Sequence, residues 1–171
     1  RLQAIARGAR AALVFESGRV GDAIVTRRKG TGAIVAVATG VAAHAGNAHP
    51  EGKNAIWAIA RFVDAAQRLT AYDRGITVNV GLISGGTAKN TVPEHAKCVV
   101  DTRFETVADA DAVVAALQAL ARDPWAGMAD MPNELKEVEI RLSGGVTRPP
   151  MEASQGSQAL RLAYEAHAAG A

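Results

Sequence analysis

The order of periodic segments across the middle of the chain constrains its fold more than any other feature. Three segments alternate apolar and polar side chains, as half-buried β-strands do, and two repeat apolar side chains every three or four residues, as amphipathic helices do. With one further apolar strand the order is strand, helix, strand, strand, helix, strand, at residues 33–39, 55–69, 76–83, 94–104, 107–121 and 136–142. This order predicts an α+β fold: a two-layer split βαβ (ferredoxin-like) sandwich, with a four-stranded antiparallel sheet and two helices on one face.

The same periodicity predicts which side chains are buried. In the first helix the predicted buried stripe contains Ile56, Ile59, Ala60, Val63, Ala66 and Leu69. In the strand at 76–83 it contains Ile76, Val78, Val80 and Leu82. The segment Gly30-Thr31-Gly32 is expected to precede the sheet and to mark a boundary. Since one sheet face and at least one strand edge are left uncovered, we expect a partner chain.

The two ends of the chain belong to no complete unit of their own. The patterns there predict a helix at 1–10, strands at 11–15 and 22–29, and a helix at 154–169. The chain begins Arg-Leu-Gln, without an initiator Met or a signal-peptide pattern, so we expect a piece of a longer protein.

Composition excludes several classes of function. The net charge of +2 predicts no basic face for nucleic acid. No apolar run approaches the ~20 residues that span a bilayer, so no membrane partner is expected. A lone cysteine, Cys98, rules out an intramolecular disulfide and favours a reducing, cytoplasmic compartment.

Three polar residues in loops and on a strand form a set that could bind an oxyanion and a carboxylate. His44 lies between small residues in the loop 39–56, so its imidazole can reach beyond its own segment. Asn90 lies in the glycine-rich loop 84–93, and Arg103 on the polar face of a strand. Histidine and asparagine can donate to an oxyanion, and arginine binds carboxylate through two parallel hydrogen bonds. Taken singly, His44 can also be an ordinary loop histidine, Asn90 a turn former and Arg103 a surface cation.

In this order, three motifs resemble the zinc metallopeptidase family that includes glutamate carboxypeptidase, aminoacylase and succinyl-diaminopimelate desuccinylase. The motifs are Gly-Val-Ala-Ala-His-Ala-Gly at 40–46, Gly-Gly-Thr-Ala-Lys-Asn-Thr-Val-Pro at 85–93, and Asp-Thr-Arg at 101–103. The resemblance implies a dimerisation, or lid, domain at 30–144, with stubs of an α/β catalytic domain at 1–29 and 145–171. It implies a homodimer and a parent enzyme that hydrolyses an amide bond next to a carboxylate, in an N-acyl amino acid or at a C-terminal glutamate.

The resemblance also assigns roles to individual residues. Glu16 matches a carboxylate ligand of one of two zinc ions, although its position alone favours a strand-end carboxylate that meets water. His44 matches the histidine that crosses the dimer interface and stabilises the oxyanion in the partner's site. Asn90 and Arg103 match residues that hold the substrate, with Arg103 on its carboxylate, and Arg148 is a further carboxylate contact.

The family's remaining metal ligands and its general-base glutamate have no counterpart in this sequence. We therefore predict that the chain alone binds zinc weakly or not at all and hydrolyses nothing. Two other interpretations remain open: a stand-alone dimeric split βαβ module that binds a small ligand without catalysis, and a cysteine-dependent enzyme using Cys98.

Overall fold

The structure is a computed structural model that describes residues 27–128, 137–151 and 155–169, together with Arg7 and Val25. Contacts divide the chain into two compact units, Lys29–Pro150 and Arg1–Arg28 with Met151–Ala171. Glu16 and the strand predicted at 11–15 lie outside the described residues, as do most of the helix predicted at 1–10 and half of the strand predicted at 22–29.

The unit Lys29–Pro150 contains six strands and two α-helices among its described residues. They are β1 (Gly30–Thr39), β2 (Ala43–His44), α1 (Ala55–Gln67), β3 (Thr77–Gly85), β4 (Thr91–Val92), β5 (His95–Phe104), α2 (Val107–Arg122) and β6 (Glu139–Arg148). In the other unit, α3 spans Gln155–Ala169, and Arg28 and Met151 form an isolated antiparallel bridge.

Four of these strands form one antiparallel sheet in the order β3-β5-β1-β6. Strands β1 and β5 pair along their whole length, from Gly30 opposite Phe104 to Thr39 opposite His95. The predicted split βαβ fold is thus confirmed. The short strands β2 and β4 form a separate ribbon beyond the end of β1.

Both helices pack on the same face of this sheet. That face is formed by small and β-branched side chains of the two central strands, including Ile34, Ala36, Ala38, Ala96, Cys98 and Val100, all buried. From α1, Ile59 and Phe62 fill the core, and from α2, Val113 and Leu117. Burying each such large side chain contributes about 1.5–3 kcal/mol, and the alanines opposite let the helices approach the sheet closely.

The opposite face, which we call the open face, has neither α1 nor α2 on it. It carries the alternate side chains of the central strands: Thr31, Val35, Val37, Lys97, Val99, Asp101 and Arg103. These are partly or largely exposed, so this face is available to whatever the full-length protein or a second chain places there.

The predicted buried stripe of α1 is correct at Ile59 and Ala66, which are fully buried, but wrong at two other positions. Ile56 is 40% exposed and Ala60 is also exposed, whereas Ala58 and Phe62 are fully buried. The cause is the alanine content of the helix. Because alanine fits either face, the apolar pattern allowed two rotations, and the fit of Phe62 into the core selects one.

Two predicted strand descriptions also change. In β3 the register shifts between Val80 and Leu82, which breaks the alternation and leaves both Leu82 and Ile83 exposed. Strand β1 begins at Gly30 rather than after Gly32, because glycine is required inside the sheet there: a Cβ at Gly30 would lie 2.1 Å from the Phe104 ring.

Strand β6 runs to Arg148 rather than ending at Leu142. Gly144, which the sequence suggested as a stop, sits in the strand with φ +92° and lies so close to Ala33 that a Cβ would clash with its carbonyl oxygen. The sheet therefore continues past the expected domain edge and brings Arg148 beside Thr31.

Candidate functional site

The loop after β1 holds His44 against the loop that carries Asn90. In the β2–β4 ribbon His44 pairs with Thr91, and the backbone N–H of Ala45 donates to the Asn90 carbonyl oxygen at 2.9 Å. Backbone hydrogen bonds between Val41 and Lys53 close the base of the His44 loop, and the Asn54 side chain caps α1 by accepting from the Trp57 N–H. His44 and Asn90, which we call the loop pair, are therefore neighbours, and both are exposed.

The imidazole of His44 is oriented by its own backbone. The N–H groups of Gly46 and Asn47 both donate to Nδ1, each at 3.1 Å. Because Nδ1 accepts, the neutral ring carries its proton on Nε2. The ring therefore offers an N–H donor on the side away from its own turn. The small residues around His44 allow this turn, as the sequence suggested.

Arg103 lies on the open face at the opposite end of the sheet. Its guanidinium binds Asp101 through two hydrogen bonds, Nε to Oδ2 at 2.9 Å and a terminal nitrogen to Oδ1 at 3.0 Å. The side chain remains 43% exposed, so the guanidinium is held in one orientation without being covered.

Arg148 lies in the same row of the sheet as Arg103. Thr31 of β1 is opposite Arg103 on one side and opposite Arg148 on the other. With two strand spacings between them, the two arginine backbones are about 10 Å apart. We call them the arginine pair. The Thr31 hydroxyl between them is hydrogen-bonded to the Thr147 hydroxyl at 2.8 Å.

The two pairs are far apart within one chain. The arginine pair flanks Thr31, whereas the loop pair lies beyond Thr39. Eight residues of extended strand separate Thr31 from Thr39, which corresponds to about 27 Å. The structure thus brings together His44 with Asn90, and Arg103 with Arg148, and keeps the two pairs at opposite ends of the sheet.

Two clefts adjoin the loop pair. The larger, of about 390 Å³, opens beside Val37 and is bounded by the loop at 84–87 and by residues 91–97. The smaller, of about 300 Å³, lies against the start of α1 and includes Lys89, His49 and Asn54. Thr91 lines both clefts. Sequence reasoning identified the loops but not these clefts, because each cleft is formed by segments that are distant in the sequence.

The side chains that could bind a metal or act as a nucleophile are scattered or buried. Among the described residues no three His, Cys, Asp or Glu side chains cluster as a metal site would require, so these residues do not fit a two-zinc centre. Cys98 is fully buried, and burial raises the pKa of its thiol to about 11. The cysteine-enzyme interpretation is therefore wrong, since a buried neutral thiol is not a nucleophile. No helix in the described ranges is long and apolar enough to cross a membrane.

The fold and the paired loops define a dimerisation module of the kind found in metal-dependent peptidases. The sequence pattern of the peptidase dimerisation domain matches residues 26–128, and the chain belongs to that family. Among curated proteins it is 37% identical over 113 residues to indole-3-acetyl-aspartic acid hydrolase from Enterobacter agglomerans, covering 66% of this chain and 24% of that protein. It is 39% identical over 66 residues to one of the subunits of p-aminobenzoyl-glutamate hydrolase from Escherichia coli, covering 38% of this chain and 15% of that protein.

Solved structures agree with this assignment. An aminobenzoyl-glutamate utilization protein from Klebsiella pneumoniae matches with a TM-score of 0.59 and 30% identity, over 71% of this chain and 29% of that one. The aminopeptidase PepT from Bacillus cereus matches with a TM-score of 0.67 and 24% identity, over 81% of this chain and 35% of that one, which bears on the fold alone. The chain thus spans about a quarter of the first hydrolase's length, and its family relatives are hydrolases.

Proposed function

We propose that this chain is the dimerisation and lid portion of a zinc-dependent amidohydrolase that cleaves the amide bond of N-acyl acidic amino acids. Two relatives support the substrate class, since indole-3-acetyl-aspartic acid and p-aminobenzoyl-glutamate each join an aromatic acyl group to an acidic amino acid. In this proposal the lid predicted at 30–144 extends to Arg148, the end of β6, and the segments on either side belong to the catalytic domain.

The observation that carries the proposal is that two backbone N–H groups donate to Nδ1 of His44, which leaves Nε2 as the donor. An Nε2–H donor on an exposed loop can stabilise the negative charge that develops on a carbonyl oxygen during amide cleavage. Two backbone N–H groups hold the ring, so little reorganisation is needed when that charge forms. The side-chain amide of Asn90, next to His44, supplies a second hydrogen-bond donor to the same region.

The arginine pair supplies the complementary recognition. Asp101 holds the Arg103 guanidinium in one orientation, and Arg148 lies two strands away in the same row of the sheet. The aspartate or glutamate part of such a substrate carries two carboxylates. The arginine pair supplies one guanidinium to bind each of them. Arginine suits this role because its planar donors match a carboxylate bidentately.

The separation of the two pairs supports a homodimer. A single N-acyl amino acid spans roughly 10 Å by covalent bond lengths, so it cannot reach both pairs of one chain about 27 Å apart. Two chains related by a two-fold axis can place the loop pair of one opposite the arginine pair of the other. Each reaction site in this proposal therefore takes His44 from the partner chain.

The zinc ions of this proposal are held elsewhere. The described residues do not fit them, and Glu16 is the candidate ligand that this chain contributes. The described residues act by orienting the substrate and by stabilising charge on it. The chain by itself is proposed to be inactive.

The test is hydrolysis of N-acyl-glutamate and N-acyl-aspartate by the full-length protein, measured by release of the free amino acid. We expect Arg103→Ala to raise KM and His44→Ala to lower kcat about 10²-fold or more. Arg68→Ala is the matched control, because Arg68 also binds a carboxylate, that of Asp64, through two hydrogen bonds, but lies at the C-terminal end of α1, away from the open face and both clefts. Binding of such compounds with no hydrolysis and no zinc requirement would favour a non-catalytic ligand-binding module instead.

A further inference from the structure

The larger cleft has the shape and lining of a pocket for an apolar group. Its volume is about 390 Å³, and its walls include the side chains of Val37, Ala42, Val92 and Pro93. Val37 is 38% exposed on the open face, so its side chain forms part of the accessible floor. The polar side chains that line it are the hydroxyls of Ser84, Thr87 and Thr91 and, near the start of β5, Glu94, His95 and Lys97.

This cleft adjoins the loop pair, although neither His44 nor Asn90 lines it. Thr91 lines it and is the residue opposite His44 in the β2–β4 ribbon. Paired residues in an antiparallel ribbon have Cα atoms about 4.5–5.5 Å apart. Thr91, at the edge of the cleft, is therefore the cross-strand neighbour of His44, the proposed oxyanion donor. Asn90 directly precedes Thr91 in the sequence.

We propose that this cleft receives the acyl group of the substrate, and that Val37 and Thr87 set how large an acyl group is accepted. The inference rests on the proposed function. A residue that donates to the carbonyl oxygen lies beside the carbonyl carbon. That carbon is bonded to the rest of the acyl group on one side and to the amino-acid nitrogen on the other. Because the arginine pair of the same chain is remote, the amino-acid side of the substrate extends toward the other chain, and the acyl side stays with the loop pair.

The chemistry of the lining favours an aromatic acyl group. The cleft is large enough for a one- or two-ring system, and its walls are mostly apolar, which suits a group with no charge of its own. The smaller cleft is a poorer match, because its volume is only about 300 Å³ and it lies against the start of α1 rather than on the open face. Its occupation by the acyl group is the competing outcome.

The experiment compares acyl groups on one amino acid. In the full-length protein, kcat/KM is measured for N-acetyl-, N-benzoyl- and N-(indole-3-acetyl)-glutamate with the wild type and with Val37→Trp, which fills the larger cleft. We expect the two aromatic substrates to lose about 10- to 200-fold in kcat/KM, while N-acetyl-glutamate changes by less than about threefold. Thr87→Trp, in the exposed loop at the rim, is expected to give the same selective loss and is used if Val37→Trp does not fold.

Two control variants separate the possible results. Val107→Trp enlarges a side chain that is 54% exposed at the start of α2, outside both clefts, and should leave all three substrates unchanged. Ala88→Trp fills the smaller cleft instead. Equal losses for all acyl groups in Val37→Trp and Thr87→Trp, or a selective loss only in Ala88→Trp, overturn the inference and leave the proposed function standing. A wild-type protein that hydrolyses none of the three overturns the proposed function itself.

Discussion

A mixed-dimer experiment tests whether one reaction site takes His44 from one chain and Arg103 from the other. His44→Ala leaves Arg103 intact, and Arg103→Ala leaves His44 intact, so both variant homodimers lack one group at every site. In a heterodimer of the two variants, a two-fold arrangement gives one site with both groups and one with neither.

The expected magnitude follows from the geometry of the sheet. Thr31, opposite Arg103, and Thr39, next to the His44 loop, are about 27 Å apart, so the two groups meet only across chains. Random exchange makes half of the dimers heterodimers, each with one working site, and about a quarter of wild-type activity should return. Loss of an oxyanion donor leaves the His44→Ala homodimer at about 1% or less.

The assay mixes equal amounts of the two purified full-length variants, exchanges chains in mild denaturant, and follows glutamate release. Differently tagged chains show by native mass spectrometry that heterodimers have formed. A mixture of His44→Ala with the control variant Arg68→Ala should give about half of wild-type activity both before and after exchange. If heterodimers form and activity does not rise above that of the separate His44→Ala and Arg103→Ala proteins, the two residues do not serve one site across chains.

Three further predictions concern stability, measured by chemical denaturation of the full-length protein. Phe62→Ala should lower the free energy of unfolding by about 3–5 kcal/mol, because this side chain is fully buried in the core, whereas the exposed Ile56→Ala should cost far less. Thr106→Ala should cost about 1 kcal/mol, since the hydroxyl caps α2 by accepting from the Asp109 N–H, and Thr106→Ser should restore most of it. The Cys98 thiol, whose pKa rises from 9.0 to about 11 on burial, should stabilise the fold fully below pH 9 and lose that contribution as pH rises toward 11; a Cys98→Ala variant with the same pH dependence would contradict this.

The sequence predicted the buried face correctly where its apolar pattern allowed only one assignment of buried and exposed side chains. In β5 every second residue from Ala96 to Phe104 is buried, as the alternation predicted, because each of those side chains contacts the core directly. The buried stripe of α1 was predicted wrongly at Ile56 and Ala60 because the alanines of this helix fit either face. The bulge near Gly81 and the continuation of β6 through Gly144 depend on how one strand meets its neighbour, which no periodicity within a single strand records.

The candidate site divides in the same way. The small residues around His44 predicted a presented imidazole, and its exposure and turn fit that local chemistry. The clefts beside Thr91 could not be predicted, because each is formed by segments that are distant in the sequence. No sequence pattern indicated that Arg148 would lie in the same row as Arg103.

The sequence by itself determined the order of strands and helices, the dimerisation-domain family and the residues that can donate to an oxyanion or a carboxylate. These are local properties, set by side-chain periodicity and by residues close together in the chain. Only the tertiary structure decided that the loop pair and the arginine pair lie at opposite ends of one sheet. That separation follows from the antiparallel register of β1 against β5 and β6, a long-range pairing that fixes which residues share a row.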